Sequence, residues 1–346
     1  MRQSSTHREK GTSMTDAHVP RTAAVNSVVG PIPADQLGVV AVHESLLSVV
    51  PGAEYAFDID LDRVTIFDTL AAKLREFKAA GGGTIVDTTG MFHGRDLRLL
   101  ESLARVTGVN IVASTGMGPE ENLGGYFLTP QTNPPTPWPA EKFADLFTQE
   151  ITEGMVIPRL ERRNPAGLIV VEADRAGITP TEVSLVQGAA RASVGTGVAL
   201  SIRWGADAVG DVTYAVNEGL SADRIVVGGC DRVDAVNAGV AAELAGQGCY
   251  VAIDHVGSTG PAYIDDAARV ALVVDLIAQG FANRILLSSN AIGVAAGLEA
   301  VEVPFGFVVG TFASMLRDAG VSETDVRQIL ADNPRDVLTV RSEKKA

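Results

Sequence analysis

The chain has 346 residues, enough for one large domain or two ordinary ones. It is 46% hydrophobic but only 5% aromatic, so aliphatic side chains and alanine must fill the core. A net charge of −14 argues against nucleic acid or an anionic membrane as partner, and no apolar run reaches the roughly 18 residues of a membrane span.

Residues 1–28 are polar and charged, and the first thirteen lack an apolar stretch. They read as a disordered tail and not as a secretory signal, with Met14 as an alternative start. A single domain is expected over residues 29–341. It opens on GVVAVHESL, Gly38 to Leu46, where small and β-branched residues run into His43-Glu44-Ser45. The run predicts a strand buried on both faces, with its polar triplet at the strand end.

Strand and helix patterns then alternate. Strands are expected at Gly38–Val42, Thr84–Val86, Ile111–Ala113, Leu168–Val171, Val198–Ile202, Arg224–Val227, Tyr250–Ile253 and Arg284–Leu287. Phe67, Leu70, Leu74 and Phe77 recur at helical spacing, with Gly81 as a stop signal. Leu97, Leu100, Leu103 and Ala104 repeat the pattern. Thr179-Pro180-Thr181-Glu182 is a helix start with its cap, its first-turn proline and its acid at the third position. Ser322 to Asp325 opens a late helix in a similar way. Eight such strands with intervening helices predict an α/β fold, a (β/α)8 TIM barrel with a long loop after strand 3. An open doubly wound sheet is the competitor, weakened by the lack of Gly-x-Gly-x-x-Gly after the first strand. Gly81-Gly82-Gly83 precedes a strand and reads as a turn.

The loop, from Gly116 to Pro139, is rich in proline and glycine and carries Tyr126, Phe127 and Trp138. It is expected to cover the barrel mouth as a lid, with Tyr126 touching substrate. The two cysteines, Cys230 and Cys249, end one strand and begin the next, at opposite ends of the sheet. That separation excludes a disulfide and fits a reducing, cytoplasmic setting.

At several points the residues carry a family likeness. The strand with His43-Glu44 resembles the opening of the phosphotriesterase-like enzymes of the amidohydrolase superfamily. GGTIVDTTG, GRDLRLLESLARVTGVNIVASTG and AGLIVVEADRAGITPTE resemble later segments of those enzymes, as does the run from Val321 to Leu338 with Asn333-Pro334-Arg335. The likeness spans residues 26 to 340. It implies two divalent metals at the C-terminal mouth. They would be held by two histidines on strand one, a carboxylated lysine on strand four, histidines on strands five and six, and an aspartate ending strand eight. It also implies hydrolysis of an ester, lactone or phosphoryl substrate, and often a homodimer.

Matched position by position, His43 keeps the first histidine. Ser45, Val170, Arg203, Gly229 and Asn290 stand at the other five. Ser, Val and Gly cannot replace these ligands, and a guanidinium stays protonated and repels a divalent ion. The expectation is therefore a barrel without the binuclear centre and without any other cofactor.

Other polar residues remain at the mouth. His43, Arg203, His255 and Glu172 are the candidate catalytic groups, and Ser45, Asp254, Cys230, Asn290 and Tyr126 the candidate substrate contacts. Glu172 lies two residues past Val170 on one strand face and is placed to pair with Arg203. That pair either fills the vacated metal site structurally or lets Arg203 receive a carboxylate or an oxyanion. A mixed His43–Glu172–Asp254 metal site, a Cys230–His255 pair, and Ser45 or Ser289 as nucleophile are weaker readings, since neither serine lies in a nucleophile elbow. Three functions are compatible with these residues. The first is a metal-independent hydrolase of a small lactone or ester. The second is an inactive barrel that binds a small anion or a partner. The third is a metal-independent isomerase or lyase.

Overall fold

The strand that opens on Gly38 does not stop at its polar triplet. In the computed structural model it runs from Val39 to Val49 (β1). The structure describes residues 23–341 apart from 52, 54, 55, 57, 58, 124–127, 130–135, 158, 159, 300 and 301. Seven more strands come after it: Gly82–Asp87 (β2), Asn110–Met117 (β3), Leu168–Glu172 (β4), Leu200–Arg203 (β5), Ile225–Val227 (β6), Tyr250–Ile253 (β7) and Ile285–Leu287 (β8). Each overlaps an expected strand. Neighbours pair in parallel, in chain order.

The eighth strand breaks at Ser288–Ala291 and resumes as Ile292–Ala296 (β9), which pairs in parallel with β1. That pairing closes the sheet into a barrel. It also explains the length of β1, because Ser45 to Val49 have β9 as hydrogen-bonding partner. The polar triplet thus lies within a strand. A register irregularity between Ala41 and Glu44 turns consecutive residues Val42 and His43 inward and re-aims the side chains beyond them.

Alternation divides the core in two. Ala41, Ile85, Ile169, Ile202 and Val227 face the helices. Val40, Val42, Val86, Val170, Ala199 and Val226 fill the barrel interior. This puts Ala199, just before β5, and Ser201 and Arg203, on it, on the inner face, one above another toward the C-terminal mouth. The lower end is plugged by Val25, Ala34, Leu37, Val337 and Leu338. Val25 belongs to a hairpin of Ala24–Ser27 and Gly30–Pro33. The folded domain therefore begins inside the segment expected as a tail, because these residues cover the barrel floor.

The outer helices start where the sequence supplies caps. Asp62 caps Arg63–Ala79 (α1) and Asp96 caps Leu97–Thr107 (α2). Thr179 and Glu182 form both bonds of a capping box on Pro180–Thr196 (α4, after α3 at Ala140–Thr152). Such caps contribute about 1 kcal/mol each. Ser322 accepts from the Asp325 amide at the late helix start. Of the three glycines at 81–83, only Gly81 lies in the turn. A side chain at Gly83 would meet the Leu37 carbonyl at 2.4 Å, so there the glycine serves strand packing. No helix among the described residues is long and apolar enough to cross a membrane.

Candidate active site

Two polar layers occupy the barrel, one sealed and one open. The sealed layer is built on His43. Its Nδ1 meets Asp254 Oδ2 at 2.7 Å and its Nε2 meets Ser201 Oγ at 2.9 Å. His43, Ser201 and Asp254 are all buried. The other Asp254 oxygen accepts from the Gly229 amide at 2.8 Å and lies 3.0 Å from His255 Nδ1. Burial alone would push the Asp254 carboxyl up. The charge of His255 and the hydrogen bonds from His255 and His43 outweigh it and hold Asp254 well below the usual carboxylate range.

The same layer continues outward. His255 Nδ1 also reaches Asp231 Oδ1 at 3.1 Å, and Asp231 Oδ2 accepts from Arg269 Nε at 2.8 Å. Arg269 and Asp231 are completely enclosed. Burial would lower the proton affinity of His255. Asp254 and Asp231 reverse this and push it up to about 9. The ring also stacks on Tyr263, with centroids 3.7 Å apart.

Glu44 points away from this network. Its carboxylate accepts from Ser288 Oγ, the Ser289 amide and the Ala291 amide, at 2.7, 3.0 and 2.6 Å. These bonds stand in for the ladder that β8 and β9 lose at their break. Burial outweighs them and pushes Glu44 up to about 7. The break leaves Asn290 with φ of 47°, a left-handed backbone tolerated by asparagine, and turns its side chain to the mouth.

The open layer is a cavity of about 220 Å³ lined by Ser45, Thr88, His93, Glu172, Arg203 and Asn290, among others. Arg203 is its centre. Its Nη2 donates to Thr88 Oγ1 at 3.0 Å and to Asn290 Oδ1 at 2.8 Å. Glu172 is its register partner across β4 and β5. Their charged atoms nevertheless stay 3.9 Å apart, with both side chains partly exposed. The guanidinium is thus oriented by two neutral groups and only loosely neutralised. Asn290 Nδ2 lies 3.3 Å from His255 Nε2, at the boundary between the layers. Gly118 and Asn122, from the long loop, complete the rim.

Of the residues expected at the site, the cavity gathers Ser45, Glu172, Arg203 and Asn290. His43, His255 and Asp254 lie in the sealed layer. Asp254 has both oxygens committed and does not line the cavity. Cys230 does not reach the mouth at all. Its thiol donates to the Val227 carbonyl within the outer core, and burial, followed by the charges of Asp254 and Asp231, pushes it well up. It is therefore neither a substrate contact nor a nucleophile, because β6 ends before it and the chain turns outward. Tyr126 lies outside the described residues, while Trp138 packs on Phe143. Thr88, His93 and Ser201 join the site only through the tertiary structure. Ser201 was legible in principle, since it precedes Arg203 by two residues on one strand.

A larger cleft, about 700 Å³, lies elsewhere, lined by Leu47, Val50, Phe67, Phe92 and Leu99. Its three arginines, Arg63, Arg95 and Arg98, are already paired with Asp96, Glu150 and Glu161 at 3.2, 2.6 and 2.7 Å. The smaller, polar cavity therefore has the stronger chemical case.

The model of the phosphotriesterase family matches residues 23–338, nearly the whole described chain. The chain belongs to the phosphotriesterase family. It is 27% identical over 333 residues to a phosphotriesterase homology protein of Mycobacterium tuberculosis, covering 91% of this chain and 97% of that one. It is 24% identical to an N-acetyltaurine hydrolase of Salmo salar over 92% and 98% of the two chains. An aryldialkylphosphatase of Saccharolobus solfataricus is 28% identical over 61% of this chain and 63% of its own. Among solved structures, one from the engineering of organophosphate hydrolysis from a weak promiscuous lactonase superposes with a TM-score of 0.78. That match has 23% identity and covers 91% and 99% of the chains, which supports the barrel fold.

The donors at this mouth do not fit the pair of divalent ions that the family likeness implies. Both His43 ring nitrogens are taken by Asp254 and Ser201. Gly229 has φ of 67° and its amide holds Asp254, so a side chain there is disfavoured as well as absent. Val170 offers no ligand atom, and Arg203 places a fixed cation in the cup. Asp231, Asp254 and His255 bring ligand atoms within 4.8 Å of one another, the one such group among the described residues. There the His255 nitrogen already lies between both carboxylates, and Arg269 neutralises Asp231.

Proposed function

We propose that this chain hydrolyses a small carboxylic ester or lactone in the mouth cavity, with Arg203 in place of metal ions facing the carbonyl oxygen. The observation that carries this reading is the 3.9 Å separation from Glu172, which leaves one side of the guanidinium open to the cavity. A cation fixed by Thr88 and Asn290 meets developing negative charge without first reorganising. Glu172 orients the guanidinium and limits how strongly it holds a product carboxylate. The hydrolase names of the relatives support the reaction class.

A panel of lactones and esters, assayed with and without a chelator, tests this. Turnover is expected to survive the chelator and to fall in Arg203→Ala. Turnover lost to the chelator and restored by zinc or manganese would sink the proposal. Elemental analysis is expected to find less than one equivalent of transition metal per chain.

A second reading, anion binding without turnover, is favoured by the imidazoles of the sealed layer, whose nitrogens are all engaged. Calorimetry with small carboxylates that shows binding, beside a silent ester panel, would select it.

A further inference from the structure

Asp254, His43 and Ser201 stand in the order of an acid–base–nucleophile triad. The carboxylate sits 2.7 Å from Nδ1 and the hydroxyl 2.9 Å from Nε2. With the Nδ1 proton on the Asp254 side, Nε2 presents its lone pair to the Ser201 hydroxyl. This is the tautomer a hydroxyl nucleophile needs. The Asp254 anion is itself fixed by the Gly229 amide and His255.

Ser201 also neighbours the cation along its strand. Arg203 is two residues on, on the same inner face. Val170, the register partner of Ser201, lines the floor of the mouth cavity. A side chain at Gly228 would come within 3.5 Å of both the Arg203 Cγ and the His43 Cε1. The Arg203 stem and the edge of the His43 ring therefore flank one point beside Gly228. Ser201 itself is fully buried.

Resting on the hydrolase reading above, we propose that Ser201 is the nucleophile, with His43 as its base, Asp254 as the group that orients His43, and Arg203 as the oxyanion partner. Ser201 Oγ gives its proton to His43 Nε2 and attacks the carbonyl carbon, whose oxygen takes the negative charge beside Arg203. The ester C–O bond breaks, the leaving alcohol takes the proton from His43, and an acyl-serine remains. A lactone leaves its alcohol tethered to the acyl chain. Water then gives a proton to His43 and attacks the acyl carbon. Ser201 leaves with that proton, and the acid is released.

The test uses the full chain and p-nitrophenyl acetate, quenched in acid and mapped by peptide mass spectrometry. One acetyl group on Ser201 is expected, absent in Ser201→Ala and formed on the order of 1,000-fold more slowly in His43→Ala. Because Ser201 is fully buried, Arg203→Gly, which opens space on the same inner face, is treated in parallel with a small sulfonyl fluoride and is expected to label at Ser201. As a check independent of ester turnover, Ser201→Cys is expected to be alkylated by iodoacetamide at neutral pH, while Cys230 and Cys249 stay unmodified. Ester turnover without any acyl group on Ser201 would overturn this assignment and leave the hydrolase reading standing. Labelling at Ser201 without ester turnover would do the reverse. No label in either the native protein or Arg203→Gly, or labelling indifferent to His43, also rejects the triad.

Discussion

The sealed and open layers of this barrel are made from the same residue types and behave in opposite ways. In the lower layer every charge meets an opposite one: Arg269 with Asp231, His255 with both aspartates, Asp254 with two histidines and an amide. In the upper layer Arg203 is steered by Thr88 and Asn290 while its carboxylate stays 3.9 Å away. The difference separates charges that the fold consumes from a charge it leaves loosely paired beside a cavity.

Breaking the lower layer should have the largest effect. Arg269→Met leaves the completely enclosed Asp231 with only His255 to offset its charge. It is expected to cost about 3–5 kcal/mol in urea unfolding, as for other broken buried pairs.

Next comes pH. The proton affinity of His255 is raised on folding from its ordinary 6.5 to about 9. Its stabilising contribution is therefore complete below pH 6.5 and is lost as pH rises through 9. The expected loss is on the order of 3 kcal/mol, and His255→Asn should flatten that slope in denaturation curves taken across the window. Glu44, raised by burial to about 7, adds a decline that begins near its ordinary 4.5.

Glu44→Gln sharpens the comparison from the seam between the layers. It turns an amide donor toward backbone donors at the β8–β9 break and should cost about 1–3 kcal/mol. A smaller loss would mean that Glu44 is already protonated at neutral pH, which a repeat of the measurement at pH 5 and pH 8 resolves.

Arg203→Met should alter stability least, by about 1 kcal/mol or less, because its ion pair is long and partly exposed. It should nonetheless weaken carboxylate binding by on the order of 100-fold in calorimetry. A large stability loss with unchanged binding would move Arg203 into the consumed class and remove it from the site.

The strands were readable because parallel barrel strands are apolar on both faces, and that pattern needs no knowledge of neighbours. Helix starts at Thr179 and Ser322 were readable because a cap acts on amides two or three residues away. Arg203 and Glu172 were also readable, by alternation from an apolar strand. The interior placement of Ser201 comes from the same alternation, yet a serine in a strand gives no sign of its partner. The full reach of β1 was hidden, because it depends on β9, some 250 residues later in the chain. So was the fate of Glu44, whose partners are backbone groups at 289 and 291.

The sequence by itself determined the barrel, the family likeness and which residues stand where that likeness implies metal ligands. Each rests on residue identity and short-range spacing. Only the tertiary structure decided that His43 spends its two nitrogens on Asp254 and Ser201, that Cys230 turns into the core, and that Arg203 stands over a cavity loosely paired. Hydrogen bonds between residues 158 and 211 positions apart in the chain make the first choice and bonds 115 and 87 positions apart the last, and closing the barrel is what brings these residues within reach.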